Sequence, residues 1–233
     1  MAKFYYLIIL VSTLIFPLIL SFHKKNLFYK QWRSISCSLT SVLIVFIPWD
    51  VMFTINKIWG FNKDYVLGIY LLFLPVEEWL FFIIVNFSVL FIFHLFQLNF
   101  KENKMLNLFS NAFYISIGLI FCYVIFYSIP NRWYTFIATF MALILLVIIL
   151  LLGLNVFRQL FFITFIISII PFLIVNGALT GLFSSSPIVS YDDSKNMGLR
   201  LLTIPVDDII YNFDMILFST LIYYISKVKK FSY

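Results

Sequence analysis

The sequence predicts an all-α integral membrane protein of about seven transmembrane helices, by the rule of roughly 20 residues to a span. Three observations carry that expectation. The chain is 63% hydrophobic and only 11% charged, with a mean hydropathy of +1.04, whereas a water-soluble domain carries nearer ~25% charged residues. Its apolar runs are of helix length and do not alternate. In lipid, where no water satisfies backbone N–H and C=O groups, a span must be a helix or part of a closed barrel. Finally, the basic residues sit between the runs, where they act as topology signals and not as a stripe for nucleic acid.

The first apolar run, near residues 4–22, follows Lys3 and ends at His23-Lys24-Lys25 with no small-residue cleavage site, so it is expected to be retained as the first helix. Six more follow, near 36–53, 72–98, 111–129, 133–152, 157–175 and 205–226. Lys24, Lys25, Lys30 and Arg33 lie after the first run, Lys101 and Lys104 after the third, Arg158 after the fifth, and Lys227, Lys229 and Lys230 in the tail. Placing all of these in the cytoplasm leaves only Lys3, Lys57, Lys63, Arg132, Lys195 and Arg200 outside, which predicts an external N-terminus and an internal C-terminus. The two longest loops, 54–71 and 176–204, are then both external.

Cys37 and Cys122 stand alone, with no CxxC pair, and imply neither a disulfide framework nor a metal site. His23 and His94 have no ligand partners at helical spacing and read as interfacial or packed. The net charge of +6 is spread between the spans, so nucleic acid is not an expected partner, whereas the lipid bilayer is. Thirty Phe, fourteen Tyr and five Trp exceed what a generic bundle needs. Most of them fit lipid-facing and interfacial positions; the excess suggests a rigid interior or a pocket for a large apolar substrate.

The segment Gly68-Ile69-Tyr70-Leu71-Leu72-Phe73-Leu74-Pro75-Val76-Glu77-Glu78 matches Gly198-Leu199-Arg200-Leu201-Leu202-Thr203-Ile204-Pro205-Val206-Asp207-Asp208, each residue 130 positions on (68 to 198, 75 to 205). Shifted by that amount, the first three spans fall roughly on the last three. The expected architecture is a parallel 3+1+3 repeat about an axis along the membrane normal. Residues 1–100 form the first repeat, 101–130 a linker helix and 131–233 the second.

Glu77 and Glu78 open the third span and Asp207 and Asp208 the seventh, each pair just after a Pro suited to a first helical turn. One acid of each pair has a bland role open to it, capping backbone N–H groups and complementing the helix dipole. Adjacent helical residues point about 100° apart, so the other acid is free to face the bundle, where an ionisable group is costly and usually functional. Desolvation and like-charge neighbours both favour the neutral carboxyl, and a neutral acid can donate a proton inside an apolar cavity. No GxGxxG or GxxxxGK loop points to a nucleotide. Asp192-Asp193 and Asp207-Asp208 lack the third acid of a magnesium-binding prenyl-transfer motif, so no metal and no cofactor is expected. Proton-initiated chemistry on a hydrocarbon remains, with aromatic faces stabilising a carbocation.

The run Leu74-Pro75-Val76-Glu77-Glu78-Trp79-Leu80-Phe81-Phe82 and its counterpart Ile204-Pro205-Val206-Asp207-Asp208 resemble the Pro-x-Glu-Glu signature of the small membrane lycopene cyclases, the fused or heterodimeric type found in some bacteria, archaea and fungi. Supporting matches are Pro48-Trp49-Asp50, Ile58-Trp59-Gly60-Phe61-Asn62, Asn176-Gly177-Ala178-Leu179-Thr180-Gly181, Pro187-Ile188-Val189-Ser190-Tyr191 and Gly198-Leu199-Arg200. One departure stands out: Asp207 occupies a position where the family usually has Glu.

The resemblance implies a non-redox isomerase without cofactor, acting on lycopene or a related acyclic carotenoid in the cytoplasmic membrane of a bacterium. An acid protonates the terminal double bond of a ψ-end group, the cation closes to a six-membered ring, and a base removes a ring proton. Glu77 and Glu78 are the expected acid and base, with Asp207 and Asp208 as their partners. Asp50 and Asn176 are placed to hydrogen-bond these carboxyls, or are plain interfacial polar residues. Arg200 is expected to neutralise Asp207 or Asp208, and Trp49, Trp59, Trp79 and Tyr191 to line the pocket or to form an interfacial belt. Two alternatives stay open: a carotenoid hydratase that quenches the same cation with water, and a small 3+1+3 carrier. A carrier favours polar midplane residues and Gly or Pro breaks in several spans, whereas here the acids cluster at one edge and Pro is scarce within the spans. Whether β or ε rings form, whether one or both ends close, and whether the chain works as a homo-oligomer stay open.

Overall fold

The computed structural model describes residues 2–128 and 131–228. Residue 129 of the fourth expected span, and Lys229 and Lys230 of the basic tail, lie outside the described residues. Among the described residues seven helices are long and apolar enough to cross a membrane: α1 (Tyr5–Ser21), α2 (Trp32–Ile55), α3 (Val76–Leu98), α4 (Lys104–Ser128), α5 (Trp133–Leu151), α6 (Asn155–Leu179) and α7 (Val206–Val228). The chain is thus an all-α, multi-pass membrane protein. An odd number of passes puts the start of the first helix and the end of the last on opposite sides, as the charge bias requires.

Within this frame α1 packs on α3 and α5 on α7, while α2 crosses to pack on α7 and α6 crosses to pack on α3. The two halves are therefore interleaved, with α3 and α7 in contact at the centre and α4 lying against α5 and α6. Between them sit large, fully buried rings including Phe46, Phe53, Phe82, Phe93, Phe157 and Phe161. On α5 the stretch of the buried face from Thr135 through Ala138 and Thr139 to Ala142 is small, which lets helix backbones approach closely where lipid supplies no hydrophobic drive. His94 is a packed residue: it is buried, with Nδ1 2.9 Å from the Tyr223 hydroxyl and Nε2 2.8 Å from the Asn26 carbonyl. Cys37 and Cys122 are free thiols, both exposed.

The helix starts differ from the hydropathy reading for local reasons. The apolar run from residue 72 is not yet helix, because Tyr70–Leu71 (β2) and Leu74–Pro75 (β3) form a hairpin. Its two turn residues, Leu72 and Phe73, have φ of 51° and 70°, left-handed conformations that cost non-glycine residues roughly 1–2 kcal/mol each. Pro75, extended at φ −64° and ψ 149°, then caps α3. Arg200–Leu201 (β5) and Ile204–Pro205 (β6) repeat the hairpin 130 positions on (70 to 200, 75 to 205). Proline is less scarce within the spans than expected: Pro17, Pro48 and Pro171 lie inside α1, α2 and α6.

At the end of the bundle where α3 and α7 begin, Trp59–Phe61 (β1) pairs antiparallel with Val189–Tyr191 (β4) in the register Trp59–Tyr191, Gly60–Ser190, Phe61–Val189. Since 190 is 60 plus 130, the strand pairs with its own counterpart, and a two-fold passes through the Gly60–Ser190 pair. The flanking backbone bonds obey the same operation. Asn62 N–H donates to Ile188 O at 2.8 Å and Asp192 N–H to Ile58 O at 2.9 Å; Tyr6 N–H donates to Tyr65 O and Tyr134 N–H to Lys195 O, the two tyrosines being 128 positions apart (6 to 134). This ribbon ties the loops of the two halves together directly over the N-termini of α3 and α7.

Candidate active site

The doubled acids divide their work as the 100° step between them requires. Glu77 and Asp207 turn back toward the loops. Glu77 Oε1 accepts the Leu67 N–H at 2.7 Å, and Asp207 Oδ2 accepts the Met197 N–H at 3.1 Å, an equivalent position. Thr135 also donates to Asp207 Oδ1. In the first half Leu7 stands where Thr135 does, and Glu77 Oε2 has no partner. The expectation that Glu77 and Glu78 form one acid and base pair is therefore not what the geometry provides, because Glu77 and Asp207 serve the backbone of the loops before the hairpins.

Glu78 and Asp208 instead face one chamber of about 50 Å³ between α1, α2, α3, α5, α6 and α7, and Asp50 and Asn176 line it too. The two acids differ in what is aimed at them. Asp208 accepts three hydrogen bonds, from the Tyr134 hydroxyl at 2.7 Å, the Asn176 amide at 2.7 Å and the Tyr191 hydroxyl at 2.8 Å. Glu78 accepts one, from the Tyr6 hydroxyl at 2.7 Å. Comparing the halves gives the reason: Tyr6 bonds Glu78 as Tyr134 bonds Asp208, but Phe61 stands 130 positions before Tyr191 (61 to 191), and α2 brings the Asp50 carboxyl to the chamber where α6 brings the Asn176 amide. The first half thus lacks a hydroxyl and replaces an amide by a second carboxyl, whose Oδ2 has no hydrogen-bond partner. Burial first, and then the Asp208 carboxyl, push the Tyr191 phenol well above its usual range, so it remains a neutral donor.

Aromatic rings form the rest of the wall. Trp59, Phe61, Phe81, Tyr134, Phe172 and Tyr211 line the chamber. Trp59 meets Tyr134 edge-to-face at 5.1 Å between centroids, and Tyr134 stacks on Tyr191 at 6.3 Å. Two expected wall residues sit elsewhere. Trp49 lies behind the wall, packed edge-to-face on Tyr211 at 4.9 Å. Trp79 turns outward, its Nε1 donating to the Leu71 carbonyl at 3.2 Å, which staples the hairpin to α3.

Arg200 also differs from expectation and reaches neither Asp207 nor Asp208. It donates to Asp193 at 2.6 Å and to the Thr203 carbonyl at 2.7 Å, and its guanidinium lies 5.8 Å from the Tyr191 ring centroid. That hydrogen bond holds the Asp193 carboxyl below its usual range. The pair is consequently intact at neutral pH and is lost as pH falls through the carboxylate range. Exposed pairs of this kind contribute little, so Arg200→Ala is expected to return Asp193 toward its ordinary titration and to change stability by no more than about 1 kcal/mol, measured as the thermal midpoint in detergent.

Sequence reasoning missed Tyr6, Tyr134, Tyr211 and Asn212. A signal for the first two existed in the aromatic pairs Tyr5-Tyr6 and Trp133-Tyr134 at the head of the first helix of each half. Asp214 was missed as well. It is fully buried on α7 with neither carboxyl oxygen partnered, so the acids are not confined to one edge of the membrane.

No curated protein and no solved structure matches the chain. The lycopene cyclase family model matches it twice, over residues 2–96 and 131–225, so that each match carries one hairpin and one doubled acid, the first with Tyr6 of the chamber and the second with Tyr134, Tyr191 and Tyr211. With both halves matched and α4 left between them, the chain belongs to the lycopene cyclase family.

Proposed function

We propose that the chain is a lycopene cyclase that closes the ψ-end groups of lycopene to β-type rings, an isomerisation without net redox change. The observation that carries this reading is the unequal hydrogen bonding of two buried acids in one aromatic chamber. Glu78, with one phenol donor and the Asp50 carboxyl lining the same chamber, is the general acid: like-charge neighbours in a dry site favour one shared proton over two charges. Asp208, with three donors aimed at it, is built to carry negative charge. It faces the developing cation and takes the ring proton.

Proton transfer from Glu78 to the terminal double bond leaves a tertiary cation. The next double bond attacks it, closing the six-membered ring and moving the positive charge onto the ring. Loss of a ring proton to Asp208 restores neutrality. One proton enters and one leaves, and the acid is reset by return of the proton within the chamber. Trp59, Tyr134 and Tyr211 present π-systems to the cation, each worth about 0.5–2 kcal/mol when desolvated. Glu77, Asp207, Asn176 and Tyr191 are positioning residues in this scheme. The two repeats, 1–100 and 131–233, then act as one catalytic unit joined by the 101–130 segment, in the cytoplasmic membrane.

Expression in a lycopene-accumulating bacterium is expected to yield ring-bearing pigments of unchanged mass, seen by chromatography with mass detection. Products heavier by one water would replace this reading with a hydratase. Unaltered lycopene, with the protein demonstrated in the membrane, would reject cyclisation by this chain.

A further inference from the structure

A second cavity, about 680 Å³ in volume, runs along the side of the bundle between α1, α3 and α6. On α1 it extends from Tyr5 to Leu20, about 22 Å at 1.5 Å per residue. Its walls are apolar, with Ile9 and Phe16 on α1, Val85 and Ile92 on α3, and Pro171 and Val175 on α6. Its rim is open to the bilayer, since Ile8, Phe16 and Ile174 are each more than half exposed. The volume falls within the range of roughly 300–1,000 Å³ common for small-molecule sites. The acid chamber, at about 50 Å³, is far below it.

The two spaces meet. Phe81, Phe172, Asn176 and Asn212 line both. Asn212 is buried at this junction with its Nδ2 unpartnered, and Asn176 already reaches through to Asp208. Prolines shape both sides of the groove. Pro17 removes a backbone N–H, leaving the Thr13 carbonyl without its helical donor; the Ser88 hydroxyl of α3 approaches that carbonyl at 3.5 Å.

We propose that this groove is the seat of the polyene chain and its lateral entrance from the bilayer, admitting one end group at a time past Phe81 and Phe172 to Glu78 and Asp208. The assignment rests on the cyclase reading above. Charge selects the occupant: no Asp, Glu, Lys or Arg lines the groove, so the headgroup of a phospholipid finds no charged partner there, whereas a long hydrocarbon with no headgroup requires none. Size agrees, because a cyclising end group cannot fit the small chamber alone and must draw on the inner end of the groove.

The test is protection from alkylation in membranes. Ser12 lines the groove, whereas the two native thiols, Cys37 and Cys122, are exposed on α2 and α4 outside it. In the Ser12→Cys chain, an apolar maleimide is applied with and without lycopene. Labelling at position 12 is expected to slow about tenfold when lycopene is near ten times its Kd, as it follows the free fraction, with Cys37 and Cys122 labelled as before. Val85→Trp, which fills the groove, is expected to abolish that protection and to lower cyclisation at least about tenfold, while unchanged labelling of the native thiols reports a folded chain. Equal labelling at position 12 with and without lycopene, in membranes where the parent chain still cyclises, overturns the groove and leaves the cyclase reading standing. Equal slowing at all three thiols also overturns it, as bulk partition of lycopene. Protection confined to position 12 without any ring-bearing product keeps the groove and removes the cyclase reading.

Discussion

Glu78→Gln is expected to leave lycopene uncyclised, with conversion reduced about 10²–10⁴-fold, the usual worth of a positioned general acid. The substitution is close to isosteric, and the Tyr6 hydroxyl can donate to the amide oxygen as it does to the carboxyl, so the fold has little reason to change. A loss of that size with normal protein in the membrane isolates the proton. The sharper form of the experiment adds donors instead of removing the acid. Phe61→Tyr together with Asp50→Asn gives Glu78 the hydroxyl and amide that Tyr191 and Asn176 give Asp208. Both changes favour the ionised form of Glu78, so the double variant is expected to cyclise at least tenfold more slowly, although Glu78 and Asp208 are themselves untouched. Pigment analysis reads both results, and full activity in either variant removes Glu78 as the acid.

How much of this was legible in the sequence depends on which forces decide each feature. The seven spans were legible because helix-length apolar runs and flanking lysines act locally. Their starts were not, since Leu72 and Phe73 are apolar enough to read as helix, yet adopt left-handed turn conformations that only the Leu71–Leu74 pairing and the following Pro75 make visible. The doubled acids stood out in the sequence because the 130-residue offset repeats them. Which member of each pair faces the chamber was not, because that depends on the phase in which α3 and α7 leave their hairpins. Asn176, at the end of a span, read equally as a partner for these carboxyls or as a plain interfacial residue, and its bond to Asp208 depends on how α6 packs. Arg200 was misplaced by chain proximity: it is seven residues from Asp207, but the β5–β6 hairpin turns it outward to Asp193. Tyr6 was passed over because a tyrosine at a helix start reads equally well as an interfacial belt residue, and only the packing of α1 on α3 aims it at Glu78.

Asp208→Asn is expected to reduce conversion about 10²–10³-fold, the scale seen when one preorganised electrostatic group is removed from an active site, and to weaken the fold as well. Three donors converge on this carboxylate: Tyr134 on Oδ1, Asn176 and Tyr191 on Oδ2. An asparagine offers one acceptor oxygen and turns an NH₂ toward at least one of those donors. A buried donor left unmatched costs about 1–3 kcal/mol, so the thermal midpoint in detergent should fall along with activity. Glu78→Gln carries no such cost, because its amide oxygen still meets the single Tyr6 hydroxyl, and this difference separates the two acids by stability as well as rate. Tyr191→Phe divides the effects further. It removes one donor from Asp208 but leaves the carboxylate, its bonds to Tyr134 and Asn176, and the stacked ring on Tyr134. Losing one hydrogen bond to a charged group is worth about 1.5–3 kcal/mol, and some of that falls on the cation that the carboxylate stabilises. Conversion in Tyr191→Phe should therefore lie between the parent and Asp208→Asn. If Tyr191→Phe and Asp208→Asn were instead equally inactive, the phenol would be the group that touches the substrate, and Asp208 would serve to hold it.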